Sequence, residues 1–227
     1  MPDKLQKKDF VEIEFTGRTK EGEIFDSNIK EDLQKANLKV PAKPFIFSLG
    51  SGMFLQGIDD FLIGKEIGEY SLELSPEQAF GKRDSKAIQL ISMKIFKEQK
   101  LNPIPGAMFN FDGRVAKILS VSGGRVIVDF NNPLAGKDVS YRLNVLRKIE
   151  NISEKVKSLT DFFFRKEFKF EVKEKNLIIE AEKGFSNFLE LFKDKFKEIL
   201  DLELIVKETA KPEVRKEKVE EKPQQSL

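Results

Sequence analysis

The segment from residue 41 to residue 81 constrains the fold most, because glycines divide its aromatic and aliphatic side chains at regular spacing. Phe45 and Phe47 lie two residues apart, which places both rings on one face of a strand. Gly50 and Gly52 then end that strand. Three apolar side chains follow at helical spacing, at Ile58, Phe61 and Leu62. We expect a strand, a glycine-rich corner and a short amphipathic helix to enclose a concave site lined with phenyl rings.

The composition of the 227 residues excludes several kinds of chemistry. The chain has no cysteine and no histidine, which rules out disulfides, thiolate nucleophiles, zinc fingers and a histidine general base. Lys and Arg total 40 against 38 Asp and Glu, and the net charge of +2 produces no overall field toward nucleic acid. No run of about 18 apolar residues could span a bilayer. The first residues lack a signal-peptide core, so we expect a cytoplasmic protein.

Five short motifs follow one another along the chain in a fixed order. They are Phe15-Thr16-Gly17, Gly22 to Ser27, Pro44 to Gly50, Gly57 to Gly64 and Ala79 to Gly81. One such motif alone is a weak signal, but five in register are a strong one. In this order the sequence resembles the FKBP-type peptidyl-prolyl cis-trans isomerases. The resemblance implies an α+β fold in which an antiparallel half-barrel sheet wraps around one short helix.

The resemblance also implies a discontinuous isomerase domain. It assigns residues 1–83 and 137–150 to that domain and places its last strand at Val139 to Leu146. In minimal members of the family, little chain separates the Ala-aromatic-Gly motif from the last strand. Here residues 84–136 intervene, and Ser122-Gly123-Gly124 lies between two apolar stretches as a hairpin signal. We therefore predict a β-rich insert domain in this segment.

The insert ends in Asn132-Pro133-Leu134-Ala135-Gly136, which resembles the return motif of the insert-in-flap domain in SlyD-like and archaeal FKBPs. Asn132 stands where that motif usually has a histidine. By resemblance, the insert binds unfolded polypeptide and delivers it to the isomerase site. It carries more large apolar residues than a domain of this size readily buries: Ile88, Leu90, Ile91, Met93, Ile95, Phe96, Leu101, Met108 and Phe109. The alternative is that they form the insert's own core, which we expect of about half of them.

Prolyl isomerisation forms no covalent bond to the catalyst and needs no obligatory proton transfer, which suits a chain without histidine or cysteine. Its barrier of about 18–20 kcal/mol is the resonance energy lost when the C–N bond twists. An apolar pocket lowers the barrier by removing water from the carbonyl and by matching the twisted shape. The resemblance assigns the catalytic pocket to Phe15, Phe25, Asp26, Phe45, Phe54, Leu55, Ile58, Phe80 and Tyr141.

Two of these residues have polar roles by resemblance. Asp26 is the polar side chain of the pocket, and Leu55 offers its backbone N–H to a substrate carbonyl. Two others depart from the family pattern, because Ile58 replaces a frequent tryptophan at the pocket floor and Phe80 replaces a tyrosine. We expect isomerase activity to survive both changes. The alternative for the phenylalanines is ordinary core packing, which strand and helix spacing alone would favour.

Residues 151–210 have the pattern of a further small α+β unit. The pattern predicts a helix, two strands, a helix and a strand, at Asn151 to Phe163, Phe168 to Val172, Leu177 to Ala181, Asn187 to Leu200 and Leu202 to Val206. This order is similar to the extra C-terminal domain of long archaeal FKBPs. Its phenylalanines could form a hydrophobic core or a dimer interface. We therefore expect either a monomer or a homodimer whose two copies meet through this domain. Residues 211–227 are almost wholly polar and are predicted to be a disordered tail without metal-binding histidines.

The sequence therefore predicts a peptidyl-prolyl cis-trans isomerase (EC 5.2.1.8) without cofactor or metal, with chaperone-type binding by the insert. The expected partners are unfolded or partly folded polypeptides that contain proline. One alternative is an FKBP-like adaptor, or a chaperone, with little isomerase turnover. A second is a nucleic-acid or ribosome-associated factor, since a Gly-Gly-Arg-Val hairpin could face phosphate. Acidic and basic residues are intermixed without a basic stripe, so we expect neither nucleic acid nor membrane as a partner.

Overall fold

The computed structural model describes residues 4–209, so the predicted tail at residues 211–227 lies outside the described part of the chain. Two compact units follow one another, with the boundary in sequence between Asn151 and Ile152. Helices and strands are mixed, and every strand pair of the first unit is antiparallel, which confirms the predicted α+β class. Within residues 4–209, no helix is both long and apolar enough to cross a membrane.

The first unit is built on a five-stranded antiparallel sheet. Its strands are β1 (Phe10–Thr19), β2 (Ile24–Ser27), β3 (Phe45–Ser48), β4 (Gly68–Leu74) and, late in the chain, β9 (Val139–Ile149). The order is β2-β1-β9-β4, with β3 paired to the first part of β1. In the central β1–β9 pair, Ile13 lies opposite Val145 and Phe15 opposite Leu143, and all four side chains are buried. This alternation puts one face of the sheet into the core.

Two short helices accompany this sheet, α1 (Lys30–Lys35) and α2 (Gln56–Leu62). The apolar pattern of α2 is confirmed, because Ile58 and Leu62 are fully buried, while Phe61 is half-buried. The helix approaches the end of β4 so closely that a Cβ atom on Gly57 would lie 2.5 Å from the Leu74 side chain. A glycine at this position therefore lets α2 lie against the sheet.

A four-stranded antiparallel sheet lies between residues 88 and 129. Its elements are β5 (Ile88–Ser92), the helix α3 (Met93–Glu98), β6 (Met108–Phe111), β7 (Arg114–Ser122) and β8 (Arg125–Asp129). The strand order is β5-β8-β7-β6. Gly123 and Gly124 both have positive φ values and turn β7 into β8, as the hairpin signal predicts. The limits of the insert at residues 84 and 136 stay a prediction.

The core of this second sheet is small. It consists of Phe96, Ala116, Ile118, Val126 and Val128. Of the nine apolar residues expected to exceed the capacity of the insert, only Phe96 is buried and five are half-buried. The remaining three, Leu90, Ile95 and Met108, are exposed. The insert thus buries most of its apolar residues at least in part and leaves several in contact with water.

Between residues 152 and 209, the second unit contains a three-stranded sheet and three helices. In chain order its elements are α4 (Ile152–Phe164), β10 (Lys169–Lys173), β11 (Asn176–Glu182), α5 (Lys183–Glu190), α6 (Lys193–Leu200) and β12 (Glu203–Thr209). The strand order is β10-β11-β12; β10 runs antiparallel to β11, and β12 runs parallel to it.

The prediction of one helix from Asn187 to Leu200 is wrong, because the chain forms α5 and α6 with a break between them. The backbone of Phe192 leaves the helical region, with φ −99° and ψ 4°. The break lets each short helix bury its own apolar residues, Leu189 from α5 and Phe196 and Ile199 from α6. Helical spacing alone does not reveal such a bend, because both halves keep the same period.

Candidate active site

Six of the predicted pocket residues carry aromatic rings, and the structure joins all six into one aromatic cluster: Phe15, Phe25, Phe45, Phe54, Phe80 and Tyr141. The ring centroids of Phe15 and Phe54 are 4.9 Å apart. Tyr141 lies 5.8 Å from both Phe25 and Phe54, in edge-to-face geometry. Such pairs contribute about 0.5–1.5 kcal/mol each beyond the burial of their area. The rings therefore support one another as a unit.

The aromatic cluster depends on the sheet, because its members come from distant parts of the chain. Phe15 lies on β1, Phe25 on β2, Phe45 on β3 and Tyr141 on β9. Phe54 lies two residues before the start of α2, and Phe80 follows a short 3-10 turn. Phe15 and Tyr141 are buried, whereas the other four rings are half-buried and reach the surface. The cluster can therefore present apolar ring surface to a bound molecule.

A glycine makes room at the centre of this arrangement. Gly17 lies opposite Tyr141 in the β1–β9 pair and opposite Asp26 in the β1–β2 pair. A Cβ atom at position 17 would lie 2.8 Å from Cζ of Tyr141 and 2.9 Å from Cζ of Phe25. Real Cβ atoms do not approach other atoms so closely, so the two rings can occupy these places only beside a glycine.

Leu55 and Ile58 lie at the start of α2, next to Phe54. Ile58 is fully buried, as expected of a pocket floor. The Leu55 carbonyl accepts hydrogen bonds from the N–H groups of Ile58 (2.9 Å) and Asp59 (3.1 Å). The Leu55 N–H donates to no group within residues 4–209. A main-chain donor is thus left available beside the aromatic cluster, as its predicted role requires.

Asp26 is half-buried, and Tyr141 is its polar neighbour. Burial raises the pKa of Asp26, while the Ser27 backbone N–H and the Tyr141 hydroxyl oppose that rise. Burial and the nearby Asp26 charge raise the pKa of Tyr141, so its hydroxyl stays protonated. That hydroxyl completes no well-formed hydrogen bond with any described group. A protonated hydroxyl therefore lies beside Asp26 within the cluster, although Phe80 lacks the hydroxyl of the family tyrosine.

Sequence analysis missed a buried polar network that fixes the backbone of Phe15. Asn28 accepts the Phe15 N–H at 2.7 Å and donates to the Ile13 carbonyl at 2.9 Å. The Ser27 hydroxyl donates to the Phe15 carbonyl at 2.9 Å. Because both backbone groups of Phe15 are bonded to side chains, its ring is held in a defined place. The signal in the sequence was the run Asp26-Ser27-Asn28, in which three small polar residues end a strand.

Of two prominent surface grooves, one includes Tyr141 of the aromatic cluster and the other includes none of the six rings. The larger, about 390 Å³, is lined by Thr16, Arg18, Ser71, Leu72, Glu73, Ser140, Tyr141 and Arg142. The other, about 340 Å³, lies along α1. The concave hollow expected from residues 41–81 therefore stays a prediction. The structure establishes that the six rings share one cluster, and the catalytic assignment of the nine residues is a proposal developed below.

Two families of known proteins match parts of this chain. The sequence model of the FKBP-type peptidyl-prolyl cis-trans isomerases matches residues 1–99. The model of the FKBP26 IF domain matches residues 89–134, which fall inside the segment predicted as the insert.

Individual relatives give the same result. The chain is 30% identical over 145 residues to the short-type peptidyl-prolyl cis-trans isomerase of Methanocaldococcus jannaschii. The aligned region covers 62% of this chain and 92% of the relative. It is 29% identical over 152 residues to the FKBP-type 16 kDa peptidyl-prolyl cis-trans isomerase of Escherichia coli, covering 64% and 95%. It is 25% identical over 138 residues to the isomerase SlyD of Aeromonas hydrophila, covering 60% of each chain.

Proposed function

The chain belongs to the FKBP-type peptidyl-prolyl cis-trans isomerases, and from this premise we propose that it accelerates the isomerisation of X-Pro bonds in polypeptides. The proposed active site is the aromatic cluster with Asp26, Leu55 and Ile58. One observation carries the proposal: six rings from distant segments meet beside a main-chain N–H that has no partner among the described residues. Ordinary core packing would not require a free donor at that place.

The proposed mechanism uses desolvation and shape rather than bond formation. The twisted imide has lost its conjugation, so it is less dipolar than either planar isomer and prefers an environment without water. The half-buried rings of Phe25, Phe54 and Phe80 exclude water from the proline, and the Leu55 N–H holds the substrate carbonyl. Each tenfold increase in rate requires the pocket to bind the twisted state more favourably than the planar isomers by about 1.4 kcal/mol. No residue of the chain has to attack the substrate.

We further propose that the insert binds unfolded polypeptide. The face of its sheet opposite the small core carries exposed apolar side chains, at Leu90, Met108, Val115, Leu119 and Ile127. Leu90 and Ile127 are directly opposite each other on β5 and β8, and Leu90 is 61% exposed. Several exposed apolar side chains on one face of a small domain are typical of a surface that binds other chains. Methionine on such a face adapts to varied partner sequences.

The catalytic proposal is tested by exchange rates of X-Pro peptides, measured by NMR with and without the protein. Phe25→Ala removes one ring from the aromatic cluster and is expected to lower kcat/KM about tenfold. The matched control is Phe61→Ala, since Phe61 is also half-buried and contacts Tyr70 at 5.7 Å, outside the cluster. Equal losses in both variants would indicate general destabilisation. A wild-type protein that binds peptides without accelerating exchange would favour the adaptor alternative.

We also propose that the second unit joins two copies of the chain. At the end of α5, Leu191 is 77% exposed, and Phe188 and Phe192 contact each other at 5.4 Å beside it. Sedimentation equilibrium is expected to give twice the chain mass of 26.1 kDa. Leu191→Glu is expected to shift the mass to that of one chain, because burying an unpaired charge in a dimer interface is strongly unfavourable. Leu146→Glu, at an exposed leucine of the first unit, is the control; a wild-type monomer would contradict the proposal.

A further inference from the structure

Asp59 is a carboxylic acid buried on α2, and no cation of residues 4–209 forms an ion pair with it. It is 4% exposed, and its Oδ1 atom has no hydrogen-bond partner in the part of the chain that the structure describes. A buried, unpaired carboxylate opposes folding, because its charge loses the solvation of water. Proteins depart from such rules mostly at functional sites. The position of Asp59 therefore calls for a functional reason.

Asp59 connects two segments that border the aromatic cluster. Its backbone N–H donates to the Leu55 carbonyl at 3.1 Å. The backbone N–H groups of Gly50 and Gly52 lie close enough to its carboxylate to lower the pKa of Asp59. Both glycines have φ of +70°, a conformation in which other residues are strained. The turn at residues 50–52, called the corner below, therefore has a defined and unusual shape. Asp59 thus lies between this corner and Leu55, whose N–H has no partner within residues 4–209.

We propose that Asp59 is a positioning residue: its carboxylate holds the corner at Gly50 and Gly52 against α2 and so aims the Leu55 N–H at the substrate carbonyl. The inference rests on the proposed isomerase function and deepens it. Asp59 touches no substrate in this scheme. It acts through the backbone of residues 50–55, which carries Phe54 as well as Leu55 into the aromatic cluster.

The protonation of Asp59 provides a way to observe this coupling. Burial raises its pKa from 3.8 to about 6; the charge of Asp60 adds to the rise, and the two glycine N–H groups oppose it. The adjoining segment brings three charged residues near these glycines: Lys7, whose aliphatic stem would touch a Cβ on Gly50, Lys8, whose N–H donates to the Leu49 carbonyl, and Asp9, whose carbonyl accepts the Leu49 N–H. Because the folded pKa is the higher one, the carboxyl becomes charged, and the corner is held, only as the pH rises through about 6.

The first test is an amide titration of the full-length wild-type protein by NMR between pH 4.5 and 8. The amide shifts of Gly50, Gly52 and Leu55 are expected to move together with one midpoint near pH 6. This measurement needs no catalysis, so it separates a failure of the positioning role from a failure of the proposed function. A Leu55 amide that stays constant while the glycine amides titrate would overturn the proposal.

The second test compares kcat/KM on an X-Pro peptide over the same pH range. The isosteric Asp59→Asn is expected to lose about tenfold at pH 7.5, since a misplaced binding group costs up to about 100-fold. It is also expected to lose the rise in activity near pH 6, whereas Asp60→Asn, at an exposed neighbour, keeps it. Asp26 is present in both variants, so any pH dependence of kcat/KM that it causes is common to them and does not affect the comparison. Full activity of a folded Asp59→Asn protein at pH 7.5 would refute the role.

Discussion

Gly17→Ala is expected to lose about 100-fold in kcat/KM on X-Pro peptides, because the added methyl group needs space that two rings of the aromatic cluster occupy. The new Cβ would lie within 3 Å of both Tyr141 and Phe25. Neither ring can move easily, since Tyr141 is 2% exposed and Phe25 is in edge contact with Phe80. Gly17 does not have a positive φ, so the effect is steric and not a matter of backbone strain.

The same substitution is expected to lower the free energy of unfolding by about 1–3 kcal/mol, the usual cost of overpacking. Activity is therefore measured at a temperature where both proteins are fully folded, and stability by urea denaturation. Gly184→Ala is the matched control, because Gly184 lies in α5 and a Cβ there meets nothing within 4 Å. That control is expected to be active and more stable by about 0.5–1 kcal/mol. An active Gly17→Ala protein would show that these two rings do not form the catalytic surface.

Deleting the insert is expected to separate catalysis on short peptides from catalysis on proteins. The structure indicates where the chain can be closed, because the Gly136 N–H donates to the Gly81 carbonyl at 2.8 Å. Removing residues 84–135 and joining Arg83 to Gly136 therefore leaves the five-stranded sheet intact. The deletion also removes Asp129, the ion-pair partner of Arg83, but Arg83 is half-exposed and can be solvated.

The deletion variant is expected to keep its kcat/KM on a tetrapeptide. Its kcat/KM is expected to fall about 100-fold on a protein substrate whose refolding rate is limited by proline isomerisation. The physical reason is effective concentration, since a second binding surface on the same chain can raise apparent affinity about 100-fold or more. Leu90→Lys with Ile127→Glu in the full-length protein is the finer variant, because it charges the exposed face and leaves the insert core in place. Equal loss on both substrates after deletion would refute the binding role of the insert.

The local elements of the fold were largely predictable. Glycines and period-two apolar residues indicated β3, β4 and β9, and the hairpin between β7 and β8 turns at the predicted glycines. The main error was the prediction of one continuous helix from Asn187 to Leu200, because the bend at Phe192 leaves the spacing of the apolar residues unchanged. The nine site residues came from the resemblance and could not have been assembled from spacing, since spacing gives no contact between Phe25 and Tyr141.

The polar contacts around the site were not predictable. Asn28 and Ser27 fix both backbone groups of Phe15, yet either residue alone would pass for part of a turn. Asp59 belongs to an ordinary amphipathic helix in the sequence, and its burial and its proximity to Gly50 and Gly52 follow only from the fold.

The amino-acid sequence alone established the absence of histidine and cysteine chemistry and the order of the five motifs, because composition and short-range spacing are properties of the sequence. The α+β class of the first unit was implied by the family resemblance that those motifs carry. The three-dimensional arrangement was needed to show that Gly17 stands between Asp26 and Tyr141, that the Leu55 N–H has no partner within residues 4–209 and that Asp59 is buried. The place of Gly17 depends on strand register between segments far apart in the chain, and a shift of one residue in that register would turn every side chain to the opposite face.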